Sequence, residues 1–200
     1  MAQQKNSRRR GDDLLESLYN ATIKLTDTIK LTDLTFQQIA EEAKTSRAVL
    51  YRRWATPFEL LQDIYNYKAQ ELFSGSFFSQ LKDNGSLRSD FLQLLMLFQN
   101  TYKKIGVEII NNYYFLRTQD KDNSQETEMH KNAVNTYLGI MEKILKKAEM
   151  RGEKLKNVNH VTLMLPFDLI RIENLIRPEN INKKRLTSMV NEVLLPVFLK

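Results

Sequence analysis

The chain has 200 residues, 42% hydrophobic and 27% charged, with 30 Lys and Arg against 24 Asp and Glu for a net charge of +6. That is a globular composition, long enough to bury a core, and its mildly basic balance is compatible with a nucleic-acid partner. With no cysteine, disulfides, thiolate catalysis and Cys-bound zinc are excluded and a reducing cytoplasm is the expected location.

The N-terminal stretch MAQQKNSRRRGDDLLESL is charged where a signal peptide needs an apolar run. No apolar run reaches the length of a membrane span, so no membrane role is expected. Gly and Pro are scarce, helical periodicity dominates and no segment alternates as a strand. The expected fold is all-α.

Residues 5–10 read as a basic arm carrying Arg8, Arg9 and Arg10. The first helix is expected over about residues 12–27, with Leu14, Leu18, Ala21 and Leu25 on one face. The second has a full start signal. Thr35 is an N-cap, Gln38 completes a capping box, and Leu34 and Ile39 stand where a hydrophobic staple belongs. It must stop soon, because Thr45 and Ser46 again favour a helix start. The third helix then begins the run RAVLYRRW, and Thr56, Pro57 and Glu59 open a fourth that runs to about Phe73.

Breaks follow at residues 74–76 and 83–86. Beyond them the pattern predicts helices over about residues 87–104, 107–117, 125–151, 159–176 and 183–198. Gly152 suits a helix C-terminus, and Pro178 lies just past the end of another.

Two short helices across a turn of about three residues form a helix-turn-helix, whose second helix fits the DNA major groove. Leu50 and Trp54 can anchor that helix on Leu18, Ile39 and Ala40. Thr45, Ser46, Arg47, Ala48 and Val49 lie at its leading end, where base edges are read. Arg47 suits a bidentate contact to guanine and Val49 a thymine methyl. Tyr51, Arg52 and Arg53 fall where phosphates run, and Thr35 opens a helix N-terminus toward another. Arginines on a helix are often only a solvated face; three cap signals around two short helices favour the DNA reading.

The segment LTFQQIAEEAKTSRAVLYRRWATPFELL resembles the DNA-binding signature of the TetR family of bacterial transcription regulators. Thr35, Ile39, Ala40, Ala43, Ser46, Leu50, Tyr51, Trp54 and Leu60 fall at its pattern positions. GSLRSDFLQLL and AEMRGE are similar to later parts of the family's chain. Two positions depart: Lys44 stands where the family usually has glycine, and Pro57 where it often has a phosphate-binding lysine. A positive φ at Lys44 would cost about 1 kcal/mol.

The resemblance implies a DNA-binding head over residues 1–56 and a ligand-binding and dimerisation part over residues 57–200. It implies a homodimer built on the last two helices, which carry Leu163, Leu165, Phe167, Ile170, Leu175, Met189, Val193, Leu194, Val197 and Phe198. It also implies a double-stranded, palindromic operator and a small-molecule effector that releases it, with the fourth helix as the link.

Candidate effector residues are Phe91, Phe98, Tyr102, Tyr113, Tyr114, Tyr137, Met141, Met164, Phe167 and Arg171, an aromatic and Met-rich set suited to a flat or greasy ligand. The same residues at helical spacing also describe a plain core. Arg171, near Glu173, either binds an anion or forms a dimer salt bridge. His130 and His160 lack metal-ligand spacing, and neither a Gly-rich phosphate loop nor a G-x-S-x-G elbow occurs. The expectation is therefore a non-enzyme without cofactor or metal, and the resemblance implies a ligand-released repressor. The alternative is a DNA-binding protein under a protein partner's control or with a structural chromosomal role.

Overall fold

The computed structural model describes residues 2–73, 78–119 and 128–200. They are helical in chain order: α1 (Ala2–Thr26), α2 (Phe36–Glu42), α3 (Arg47–Tyr51), α4 (Pro57–Phe73), α5 (Leu87–Ile105), α6 (Val107–Gln119), α7 (Glu128–Met150), α8 (His160–Ile176), α9 (Lys183–Ser188) and α10 (Leu195–Phe198). The all-α expectation holds: among the described residues the β geometry is one isolated bridge, Leu155 to Leu199. No helix among them is long and apolar enough to cross a membrane.

Two expectations are corrected. The basic arm is helical, since α1 starts at Ala2 rather than near residue 12. Gln, Lys and Arg are strong helix formers, and Gly11 alone costs too little to stop the helix. The last helix is not uniform either. Between α9 and α10 the chain runs through a π-helical segment, Met189–Leu194, in which the Leu195 N–H reaches back to the Val190 carbonyl. Pro196 has no N–H to continue the α pattern and crowds the carbonyl four residues before it, so the turn widens ahead of it.

The residues form two compact units. One holds the chain up to Lys68 together with Glu108–Gln119; the other holds Ala69–Val107 and the chain beyond Gln119. The core of the first is Leu18, Tyr19, Leu34, Phe36, Ile39, Leu50, Leu60, Leu61 and Ile64, all buried. Leu18, Ile39 and Leu50 are where their spacing put them, whereas Tyr19 and Phe36 carried no such signal and Leu14 and Leu25, expected on the same face as Leu18, are only half-buried.

The second unit packs α5, α7 and α8 with the C-terminal helices around Leu87, Phe91, Leu94, Leu95, Met141, Leu163, Phe167 and Leu194. Phe91 meets Phe198 with ring centroids 5.1 Å apart. The tail is pinned by backbone bonds to the loop after α7: Lys156 N–H to the Phe198 carbonyl at 2.8 Å and Lys200 N–H to the Lys154 carbonyl at 2.9 Å.

A charged clasp closes this unit. The Arg151 guanidinium donates to Asp90 at 2.9 Å and to Glu153 at 2.9 Å, and is also paired with Asp83. Glu153 in turn accepts the Leu87 N–H at 3.0 Å, satisfying an orphan donor at the start of α5. Gly152 makes the sharp turn possible: its φ is +89° and the Glu153 N–H returns to the Ala148 carbonyl at 3.1 Å, a Schellman ending.

Candidate nucleic-acid interface

The short helices are defined by their ends. Thr35 Oγ1 accepts the Gln38 N–H at 3.3 Å while Gln38 Oε1 accepts the Thr35 N–H at 2.8 Å, so the expected capping box is formed. At the other end the Thr45 N–H returns to the Ala40 carbonyl at 2.9 Å and the Lys44 N–H to the Glu41 carbonyl at 3.2 Å. That ending needs a left-handed residue, and Lys44 supplies it with φ of +53°. A lysine therefore carries strain that a glycine would not.

Ser46 is the N-cap of α3 as expected, but its side chain makes no capping bond. The chain turns out of α3 when the Arg53 and Trp54 N–H groups both reach the Leu50 carbonyl at 2.9 Å. Leu50 is fully buried and Trp54 nearly so. The opposite side is open: Thr35, Ser46, Arg47, Ala48, Tyr51, Arg52 and Arg53 are exposed, with Thr45 and Val49 half-buried. Tyr51, 62% exposed, stands edge-on to Phe36 with ring centroids 4.9 Å apart.

Asp63 on α4 ties the parts together. Its Oδ2 accepts the Trp54 indole N–H at 3.1 Å and the Tyr19 hydroxyl at 2.9 Å. Tyr19 also packs against Tyr67 at 5.2 Å. Burial, and then the bond to Asp63, push the Tyr19 phenol well above its ordinary value, so it stays a neutral donor. The start of α4 follows the sequence: Thr56 Oγ1 accepts the Glu59 N–H at 3.3 Å, and Glu59 folds back to accept the Ala55 N–H at 2.8 Å.

Among the described residues, no ion pair engages Arg47, Arg52 or Arg53. Three guanidiniums and a phenol thus lie exposed on one short segment. Such groups supply fork-shaped donors to phosphate oxygens and to guanine edges. The Asp63 clamp went unread in the sequence; a lone aspartate one helix away from a tryptophan gives no local signal.

The effector candidates separate. Phe98, Tyr137 and Phe167, from α5, α7 and α8, form one aromatic cluster. Tyr137 stacks on Phe167 at 4.3 Å, and Phe98 stands edge-on to each at 5.4 and 5.1 Å. On two of the same helices, Gln99 of α5 and Asn174 of α8 exchange amide bonds of 2.8 and 3.2 Å in a buried pair. Phe91 packs on Phe198 instead.

Tyr113 and Tyr114 lie in the other unit, where Tyr113 stacks on Tyr65 at 3.9 Å and meets Tyr114 at 5.3 Å. Tyr102 and Met141 are buried, and Met164 and Arg171 half-buried. Arg171 pairs with Asp168 rather than with Glu173. Glu173 is held by Arg185 at 2.7 Å and Arg177 at 3.1 Å, whose bonds, Arg185 first, draw its carboxyl below the ordinary value. His160 is exposed, and His130's side chain lies outside the described residues.

No family model matches the chain, and no curated protein matches it in sequence. Solved structures do match its fold over nearly its whole length. A transcriptional regulator FadR from Bacillus subtilis, solved in complex with stearoyl-CoA, is 13% identical with a TM-score of 0.57, covering 90% of this chain and 96% of its own. AibR, solved in complex with isovaleryl coenzyme A and operator DNA, is 13% identical with a TM-score of 0.56, covering 92% and 98%. A TetR-family transcription regulator from Marinobacter aquaeolei VT8 is 18% identical with a TM-score of 0.54, covering 96% and 100%. This chain has the fold of the TetR-family transcription regulators.

Proposed function

We propose that the protein is a sequence-specific DNA-binding transcription regulator, a dimeric repressor released from a palindromic operator by a small molecule. The observation that carries this reading is the α3 surface. Arg47, Tyr51, Arg52 and Arg53 are presented together on a short helix whose back is locked by Leu50 and Trp54. Arg47 and Val49 would read bases; Thr35, Tyr51, Arg52 and Arg53 would hold phosphates. In this reading residues 1–56 form the DNA head and residues 57–200 the ligand and dimer part.

The dimer is supported by unpartnered apolar surface on α8. Val161, Ile172, Leu175 and Ile176 are 80%, 46%, 53% and 57% exposed and, with half-buried Leu165, make one stripe. Val193, in the segment between α9 and α10, is a further exposed apolar residue at 36%. A second copy covering this stripe by two-fold symmetry buries it without new chemistry. Regulators of the same fold were solved with acyl-CoA ligands, and the Phe98–Tyr137–Phe167 cluster is where a greasy effector would insert. By linkage that effector must bind the DNA-free spacing of the two heads more tightly.

Selection of bound duplexes from a random library by the purified protein tests the reading. A palindrome with half-sites about one DNA turn or more apart is the expected outcome. Binding without a motif would favour the structural chromosomal role, and no binding at low salt would remove the DNA reading.

A further inference from the structure

We infer that the C-terminal end of α7 carries a second small-molecule site, an apolar cleft that takes the chain of an anionic single-chain amphiphile. The cleft measures about 250 Å³. Its apolar lining is Leu81, from the segment before α5, with Ile140, Ile144 and Met150 of α7. Ile140 and Ile144 are nearly buried, while Met150 is 79% exposed at the rim. A flexible thioether in that position adapts to a chain laid beside it.

The rim is basic. Lys82, Lys143, Lys146 and Lys147 all border the same depression, and no ion pair engages any of them among the described residues. Asp90 is the acidic lining residue, but it is 1% exposed and already held by Arg151 and Asn84. Asp83 nearby is likewise engaged by Arg151. Arg151 offsets only one of the three carboxylates it holds, and Lys147 acts on Asp83 as well, but the four ammonium groups outnumber the two charges left over, so the cleft keeps a positive field that a bound anion relieves.

The helix dipole explains basic residues in the last turn of α7, but neither Lys143, two turns from the helix end, nor Lys82, from a different segment. Only an amphiphile meets both halves of the site. A neutral apolar molecule leaves the lysines unmatched, and a small anion leaves the apolar lining bare. The volume lies below the roughly 300–1,000 Å³ of drug-sized pockets, so a single modest hydrocarbon chain fits better than a fused-ring system. The inference does not rest on the DNA reading, and none of the ten effector candidates lines this cleft.

The test is a methyl NMR titration of the full chain, without DNA, with decanoate below its micellar concentration. The Met150, Ile140 and Ile144 methyls are expected to shift together and saturate. Decanol and butyrate should each bind at least about tenfold more weakly, and the double variant Lys143→Gln/Lys147→Gln should weaken decanoate by about tenfold while keeping the wild-type spectrum elsewhere. The inference is overturned if those three methyls do not saturate, if decanol binds as well as decanoate, or if the double variant binds unchanged. A response only to anionic lipid vesicles would also overturn it, by assigning the lysines to a membrane surface.

Discussion

Trp54 donates its indole N–H to Asp63 at 3.1 Å, on the same carboxylate oxygen that accepts the Tyr19 hydroxyl. One carboxylate on α4 thereby fixes the end of the α3 segment and the middle of α1. Replacing Asp63 with Ala leaves two largely buried donors unmatched. Each orphaned donor costs about 1–3 kcal/mol, and the pair share one oxygen, so a loss of about 2–4 kcal/mol is expected by urea denaturation. Trp54→Phe should cost less, because it removes a donor without orphaning Tyr19.

Lys44 offers a gain. It holds a left-handed conformation at φ of +53°, and the Lys44→Gly variant relieves that strain. Set against the greater freedom of glycine in the unfolded chain, a small net stabilisation, up to about 0.5 kcal/mol, is expected, with DNA affinity unchanged because the lysine stands in the turn and not on α3. A loss of stability would show that the lysine side chain contributes more than its backbone costs.

The clasp in the second unit should be costly to break from one side. Arg151→Met leaves Asp90, 1% exposed, with only Asn84 as its partner. An uncompensated buried charge of this kind costs about 3–5 kcal/mol, somewhat less here because Arg151 keeps 18% of its side chain in solvent. Adding Asp90→Asn to Arg151→Met should recover part of that loss, as a double-mutant cycle reads directly.

Acid should weaken the end of α8. The carboxyl of Glu173 is drawn below its ordinary value of 4.5, first by the Arg185 bond. A depressed folded value means that the stabilisation is complete above about 4.5 and is lost as pH falls through the folded value. Urea midpoints measured from pH 7 down to pH 3 should therefore drop more in wild type than in Glu173→Gln. At pH 7 the variant should be less stable by about 1–2 kcal/mol, the low end because both arginines are half exposed.

The parts legible in the sequence are those that local chemistry decides. Thr35, Gln38, Thr56, Pro57 and Glu59 act within one turn of the chain, so the helix starts around the head could be read directly. Leu18, Ile39 and Leu50 fell on the buried faces that their spacing assigned. What joins distant segments was not legible. GSLRSDFLQLL and AEMRGE each looked like a family feature, but nothing in either showed that Arg151 would clasp Asp90 across 61 positions.

The aromatic candidates illustrate the same limit. Helical spacing states which face a side chain occupies, not which helix it meets, so Phe98 and Tyr113 looked alike although they lie in different units. The π segment escaped because its cause, Pro196, lies beyond it and acts backward along the helix.

The most direct test of the DNA reading is the affinity of wild type and Arg47→Ala for the selected operator and for a scrambled duplex, by fluorescence anisotropy at two salt concentrations. Wild type should prefer the operator, and both complexes should weaken steeply as salt rises. Arg47→Ala should lose affinity for the operator by about 1–3 kcal/mol per half-site and much less for the scrambled duplex, because a base contact carries sequence discrimination. Equal operator affinity in the variant, or no preference in wild type, would contradict the assignment of α3 as the helix that reads DNA.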